Sequence, residues 1–159
     1  MAESGYVRNG LIAGGVSGAL TAAITYLTLP PVEAVLREVK GFVSMPLPEE
    51  VLKAYLSIGL AVSGVIAFIL LLLLGALLGL LHEFLDKRLG LSVVATAVIT
   101  GLALTAVLTL PNIALHGSLL KTLTNAASGA AYTAALAALA RLANPRGYRE
   151  DILRSSEVY

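Results

Sequence analysis

The chain contains no cysteine, no tryptophan and no glutamine, and only four asparagines. Without cysteine there are no disulfides, thiolate metal sites, cysteine nucleophiles or iron–sulfur clusters. A shortage of thermolabile side chains fits a thermophilic source, although membrane composition also depletes amides. Charge is scarce as well. Only 13% of the residues are charged, against about 25% in average soluble chains. The formal net charge is +1, which argues against a nucleic-acid partner or a strongly basic surface. No phosphate-cradling glycine loop, HExxH metal motif or nucleophile elbow is present. The chain is therefore expected to be non-enzymatic, with no cofactor, metal or catalytic residue.

What the chain has in abundance is apolar sequence, 57% of its 159 residues. The dominant stretch is Ala54 to Leu81, AYLSIGLAVSGVIAFILLLLLGALLGLL, with no charge in it. At about 1.5 Å per residue it makes a helix of roughly 42 Å, longer than a hydrocarbon core of about 30 Å. Three more uncharged stretches accompany it, at 10–29, 91–110 and 122–140. The expected fold is all-α, an integral membrane bundle of four transmembrane helices occupying 1–145, followed by a short cytoplasmic tail, 146–159. The first stretch differs from a signal peptide in its single Arg8, its full length and the Pro30-Pro31 that follows it, so it reads as a retained span.

The punctuation between these stretches is legible. Pro30-Pro31 should end the first helix, because proline breaks the hydrogen-bond ladder. In Val32–Val43, the residues Val32, Val35, Leu36 and Val39 share one side, and Glu33, Arg37 and Lys40 the other. That pattern predicts a short amphipathic interfacial helix, or a loop helix packed over the bundle. Ser44–Pro48 reads as a break, and Pro48-Glu49-Glu50 as a helix start. His82–Gly90 reads as a compact charged loop. Pro111-Asn112 should stop the third span, and Asn144-Pro145 the fourth. The fourth span, rich in Ala and Thr, is mild enough that it should be mostly enclosed by its neighbours.

Small residues suggest how the helices meet. Gly10, Gly14, Gly18 and Ala22 recur every four residues on the first span. Gly75 and Gly79 do so on the second, and Ala126, Ala130, Ala134 and Ala138 on the fourth. In lipid, such faces let backbones approach closely. They serve either packing within the bundle or contact with a second copy. Both first and third spans end in LTLP, at Leu27–Pro30 and Leu108–Pro111. A true duplication would make two parallel-related helical hairpins; the competing explanation is chance among spans built from few residue types.

Polar chemistry inside the spans is limited to hydroxyls and one amide. Thr96 and Thr100 share a face of the third span, and Asn125 lies near one end of the fourth. These three are the candidates for a polar path, against the alternative that such hydroxyls bond their own helix backbone. No ionisable residue lies in any span, which argues against a proton relay, an ion-coupled transporter or a rotary-ring subunit. His82 and His116 should lie on opposite sides of the membrane and cannot share one metal or haem. His82, Glu83 and Asp86 form at most a weak interfacial ligand set. Lys and Arg counts, seven on one face and four on the other, predict a multi-pass cell-membrane protein with both termini cytoplasmic.

The leading functional expectation is a structural or accessory subunit, assembling with itself or with a larger membrane complex among membrane lipids. The alternatives are a channel or transporter component for a neutral or weakly selected solute, and a lipid- or partner-binding regulator using 32–43 and the tail.

Overall fold

A computed structural model describes residues 4–42, 48–114 and 118–143. Of these, 93% are helical, in five helices. They are α1 (Ser4–Leu27), α2 (Val32–Phe42), α3 (Glu49–Leu89), α4 (Val93–Ala114) and α5 (Leu119–Ala143). There are no strands among the described residues. Three helices, α1, α3 and α4, are long and apolar enough to cross a membrane, which gives a membrane location. The tail from 144 on, His116 and most of the expected Ser44–Pro48 break lie outside the described residues.

The ends of the helices follow proline and glycine, with two departures from the sequence reading. α1 stops at Leu27, ahead of Pro30-Pro31. At the other LTLP, α4 runs through Pro111 to Ala114, so Pro111-Asn112 does not stop it. Two consecutive prolines remove two donors in a row; a lone proline removes one and can be carried inside a helix if the freed backbone finds partners. Pro111 removes the donor to the Val107 carbonyl, and in the same turn the Asn125 amide of α5 donates to the neighbouring Leu108 carbonyl, 2.8 Å away. The second departure is the expected loop at His82–Gly90, which is helical up to Leu89. Its side chains suit a last turn. Leu85 and His82 are buried, Glu83 pairs with Lys87 one turn on, and Lys87 and Arg88 face the negative helix end. Gly90 then adopts the left-handed conformation, φ 62°, and its N–H caps the Asp86 carbonyl at 3.1 Å.

α1 and α3 lie antiparallel and in unusually close contact. A Cβ placed on Gly14 would lie 2.5 Å from the Leu71 carbonyl oxygen and 2.9 Å from the Gly75 Cα. One on Gly10 would run into the Gly75 carbonyl oxygen, and one on Gly79 would be 2.5 Å from the Tyr6 carbonyl oxygen. Gly18 faces Phe68, and at the far end the Tyr26 ring lies over Gly64. The two backbones touch because nothing stands between them.

The second hairpin uses the same device with threonine as the neighbour. A Cβ on Gly101 of α4 would meet the Thr133 hydroxyl of α5, and one on Gly129 of α5 the Thr105 hydroxyl of α4. Between the hairpins lies a core of Ala13, Leu71, Ala97, Leu104, Tyr132 and Leu136. Tyr132 is fully buried, and its hydroxyl points at the Gly75 carbonyl, 3.4 Å away. Where α1 meets α5, the Ser17 hydroxyl donates to the Ser128 carbonyl at 2.8 Å, and the Thr21 and Ser128 hydroxyls bond each other.

α3, with 41 residues, is about 61 Å long, roughly twice the thickness of a hydrocarbon core. Its partner α1 ends beside Ala61 and Gly64, so the first turns of α3 run past the bundle. α2 packs against α3, and Lys40 of α2 reaches Glu49 at 2.7 Å. Leu36 is buried, while Glu33, Arg37, Glu38 and Lys40 are exposed.

Candidate functional site

The residues singled out by spacing fall in different places. Gly10, Gly14, Gly18, Gly75 and Gly79 all lie in the α1–α3 contact, with Ala22 half-buried beyond it. The alanines of α5 are placed differently. Ala126, Ala130, Ala134 and Ala138 are all exposed, because α5 turns Ser128, Gly129, Tyr132 and Leu136 inward instead. The expectation that α5 is mostly enclosed is thus met on one side only.

Thr96 and Thr100 are fully buried. Their hydroxyls donate to carbonyls one turn earlier in α4, Thr96 to Ser92 and Thr100 to Thr96, each at 2.9 Å. A hydroxyl bonded this way presents little to a passing solute. Asn125 sits elsewhere, beside Leu108. Thr100 and Leu108 are eight residues apart in α4, about 12 Å along the axis. The fold therefore does not gather Thr96, Thr100 and Asn125 in one place.

Each end of the bundle carries its own polar cluster. At one end, the Tyr6 hydroxyl donates to the Asp86 carboxylate, the Tyr6 and His82 rings lie 5.6 Å apart, and the Lys87 ammonium is 5.5 Å from the Tyr6 ring centre. Glu83 is held by Lys87. Asp86 and Glu83 thus turn to other partners rather than converging on His82, and no group of three metal-ligating side chains occurs among the described residues. These contacts tie the first turns of α1 to the last turns of α3.

At the other end is a half-open cleft of about 790 Å³ where the last turns of α1 and α4 meet the first turns of α5 and one side of α2. Its floor is polar. Asn112 donates to the Thr122 hydroxyl at 2.9 Å, and Asn125 bonds Leu108 as described, leaving both amide oxygens of these residues without a bond among the described residues. Thr28 donates to the Ile24 carbonyl at 2.8 Å. The apolar part of the lining includes Ile24, Leu108 and Leu120. Two ionisable residues complete it, Glu38 from α2 and Lys121 from the first turn of α5. The sequence reading did not pair them. They are 83 residues apart in the chain, and only the folding of α2 over the bundle end brings them to one cleft.

No family profile, curated protein or solved structure matches the chain. The functional reading therefore rests on these surfaces.

Proposed function

We propose that the chain is a non-enzymatic structural or accessory subunit of a membrane, built of four spanning helices in two hairpins, which assembles laterally through the outward face of α5. The observation carrying this reading is the mismatch in α5. At 25 residues it is long enough to span a membrane but less apolar than α1, α3 and α4, yet it leaves Ala126, Ala130, Ala134 and Ala138 uncovered. A mild helix gains little by facing lipid, whereas a smooth small-residue face lets another helix approach closely. The glycines of α1, the other face suited to such contact, are already filled by α3.

In this reading α5 is the fourth span, both termini are cytoplasmic, and α2 lies along the opposite interface with Leu36 inward. The partner is a second copy or a helix of a larger complex. The conduction alternative draws less support, because the Thr96 and Thr100 hydroxyls are spent on their own helix. The test is the mass of the protein extracted in native nanodiscs, alone and with its source membrane's other proteins, for the wild type and for Ala130→Leu. A discrete assembly that Ala130→Leu disperses is the expected result. A wild-type monomer in both preparations would refute lateral assembly.

A further inference from the structure

The cleft at the α2 end holds the two charges of opposite sign that the bundle leaves unmatched there. Glu38 and Lys121 line the same opening, and neither forms an ion pair among the described residues, whereas the nearby Lys40, Glu49 and Lys53 are joined to one another. Lys121 stands in the first turn of α5, where unpaired backbone N–H groups add to the attraction for an anion. Ser118 caps that turn through the Lys121 N–H at 3.3 Å. Glu38 faces the same space from α2 and disfavours a ligand that is only an anion. The amide oxygens of Asn112 and Asn125 add acceptors on the floor. A ligand satisfying this arrangement carries both a negative and a positive group.

We infer that this cleft binds a zwitterionic phosphoammonium group, phosphate toward Lys121 and the α5 terminus, ammonium toward Glu38 and the amide oxygens. Its position favours a group carried on a lipid. The cleft lies where the uncharged runs of α1 and α4 end, at Leu29-Pro30 and Leu110-Pro111, and Ile24 and Leu108 continue its lining toward the apolar side. A primary ammonium, with three N–H donors, suits a carboxylate and two amide oxygens better than a quaternary one, which has none. The ligand class is thus phosphoethanolamine, borne by phosphatidylethanolamine. The lipid source rests on the membrane reading; the cleft's charge pairing does not.

The experiment compares lipids retained by the purified full chain in native mass spectrometry. Protein in mixed micelles is offered phosphatidylethanolamine, phosphatidylcholine and phosphatidylglycerol in equal amounts, with and without soluble phosphoethanolamine as competitor. The inference expects phosphatidylethanolamine to be retained above both others. It expects that preference to fall about tenfold in Glu38→Gln, which removes the ammonium's charge-assisted partner, and the retention of all three lipids to fall about tenfold in Lys121→Met, which removes the phosphate's. Both residues are exposed, so the variants should keep their helical circular dichroism and thermal midpoint, and Arg37→Gln, outside the cleft, should keep the preference. Competition by soluble phosphoethanolamine would support the headgroup site and assign its recognition to the headgroup alone. Retention without such competition would assign part of the binding to the acyl chains. Equal retention of the three lipids, a preference unchanged in Glu38→Gln, or a retention unchanged in Lys121→Met would overturn the inference. Failure of the protein to enter micelles or bilayers would instead refute the membrane reading.

Discussion

Gly14 and Gly15 are neighbours in α1, and adding one methyl group to each should have opposite effects. At Gly14 the new Cβ would sit 2.5 Å from the Leu71 carbonyl oxygen and 2.9 Å from the Gly75 Cα. An ordinary contact needs about 3.5 Å, so α1 and α3 would have to separate by about 1 Å there. Both neighbours are backbone atoms, which cannot swing aside as a side chain can. A gap of that size forfeits a quarter to a half of the attraction of each contact along the seam, and overpacking of this kind costs about 1–3 kcal/mol. At Gly15 a Cβ would meet nothing within 4 Å, so Gly15→Ala should be neutral or stabilise the helix by up to about 1 kcal/mol. The assay is reversible unfolding in mixed detergent micelles, followed by circular dichroism, for wild type, Gly14→Ala and Gly15→Ala. Gly14→Ala should fall below the wild type and Gly15→Ala at or above it, the two differing by about 1–4 kcal/mol. Equal stabilities would mean that α1 and α3 do not meet through this face.

Further expectations concern the polar groups. Asn125→Leu should destabilise by about 1 kcal/mol, because it removes the bond that ties α5 to the Leu108 carbonyl in the turn before Pro111; the same unfolding assay reads it, and no loss would mean that this bond does not hold the hairpin. Thr96→Val and Thr100→Val together should cost less than about 1.5 kcal/mol each, since the shape is kept and only bonds to the same helix are lost. A flux of neutral solute into proteoliposomes that this pair of changes abolished would restore the conduction reading. Ser128→Ala should couple with Thr21→Val in a double-mutant cycle by about 0.6 kcal/mol, the usual size for hydrogen bonds between spanning helices; additive losses would place these two hydroxyls in separate environments. Tyr6→Phe should speed the exchange of the amide hydrogens in the second turn of α1, the first that are bonded within the helix, while leaving the exchange of α5 unchanged, because its hydroxyl ties that end of α1 to Asp86.

The sequence by itself determined the class of this protein. Uncharged runs as long as 54–81 have one comfortable solvent, and the double proline at Pro30-Pro31 ends α1 without help from any other part of the chain. Four-residue glycine spacing on α1 and α3 likewise marked the faces along which two helices can close, because only glycine leaves the backbone bare. The rest depended on partners remote in sequence. LTLP occurs twice, yet one copy precedes a helix end and the other sits inside α4, where the Asn125 amide of α5 bonds the Leu108 carbonyl in the turn before the lone proline. His82–Leu89 looked like a loop because its charges are dense; burial of His82 and Leu85 and a Glu83–Lys87 pair make it the last turns of α3. The alanines of α5 repeat as regularly as the glycines of α1, and spacing cannot say which of two faces turns inward. That choice fell to Tyr132, which fills the core from the opposite side and leaves Ala126, Ala130, Ala134 and Ala138 outside. Glu38 and Lys121 carry no mark of kinship in the sequence. Only the way α2 folds back over the end of the bundle puts both in one cleft, because opposite charges acquire a shared ligand only when the chain brings them near each other.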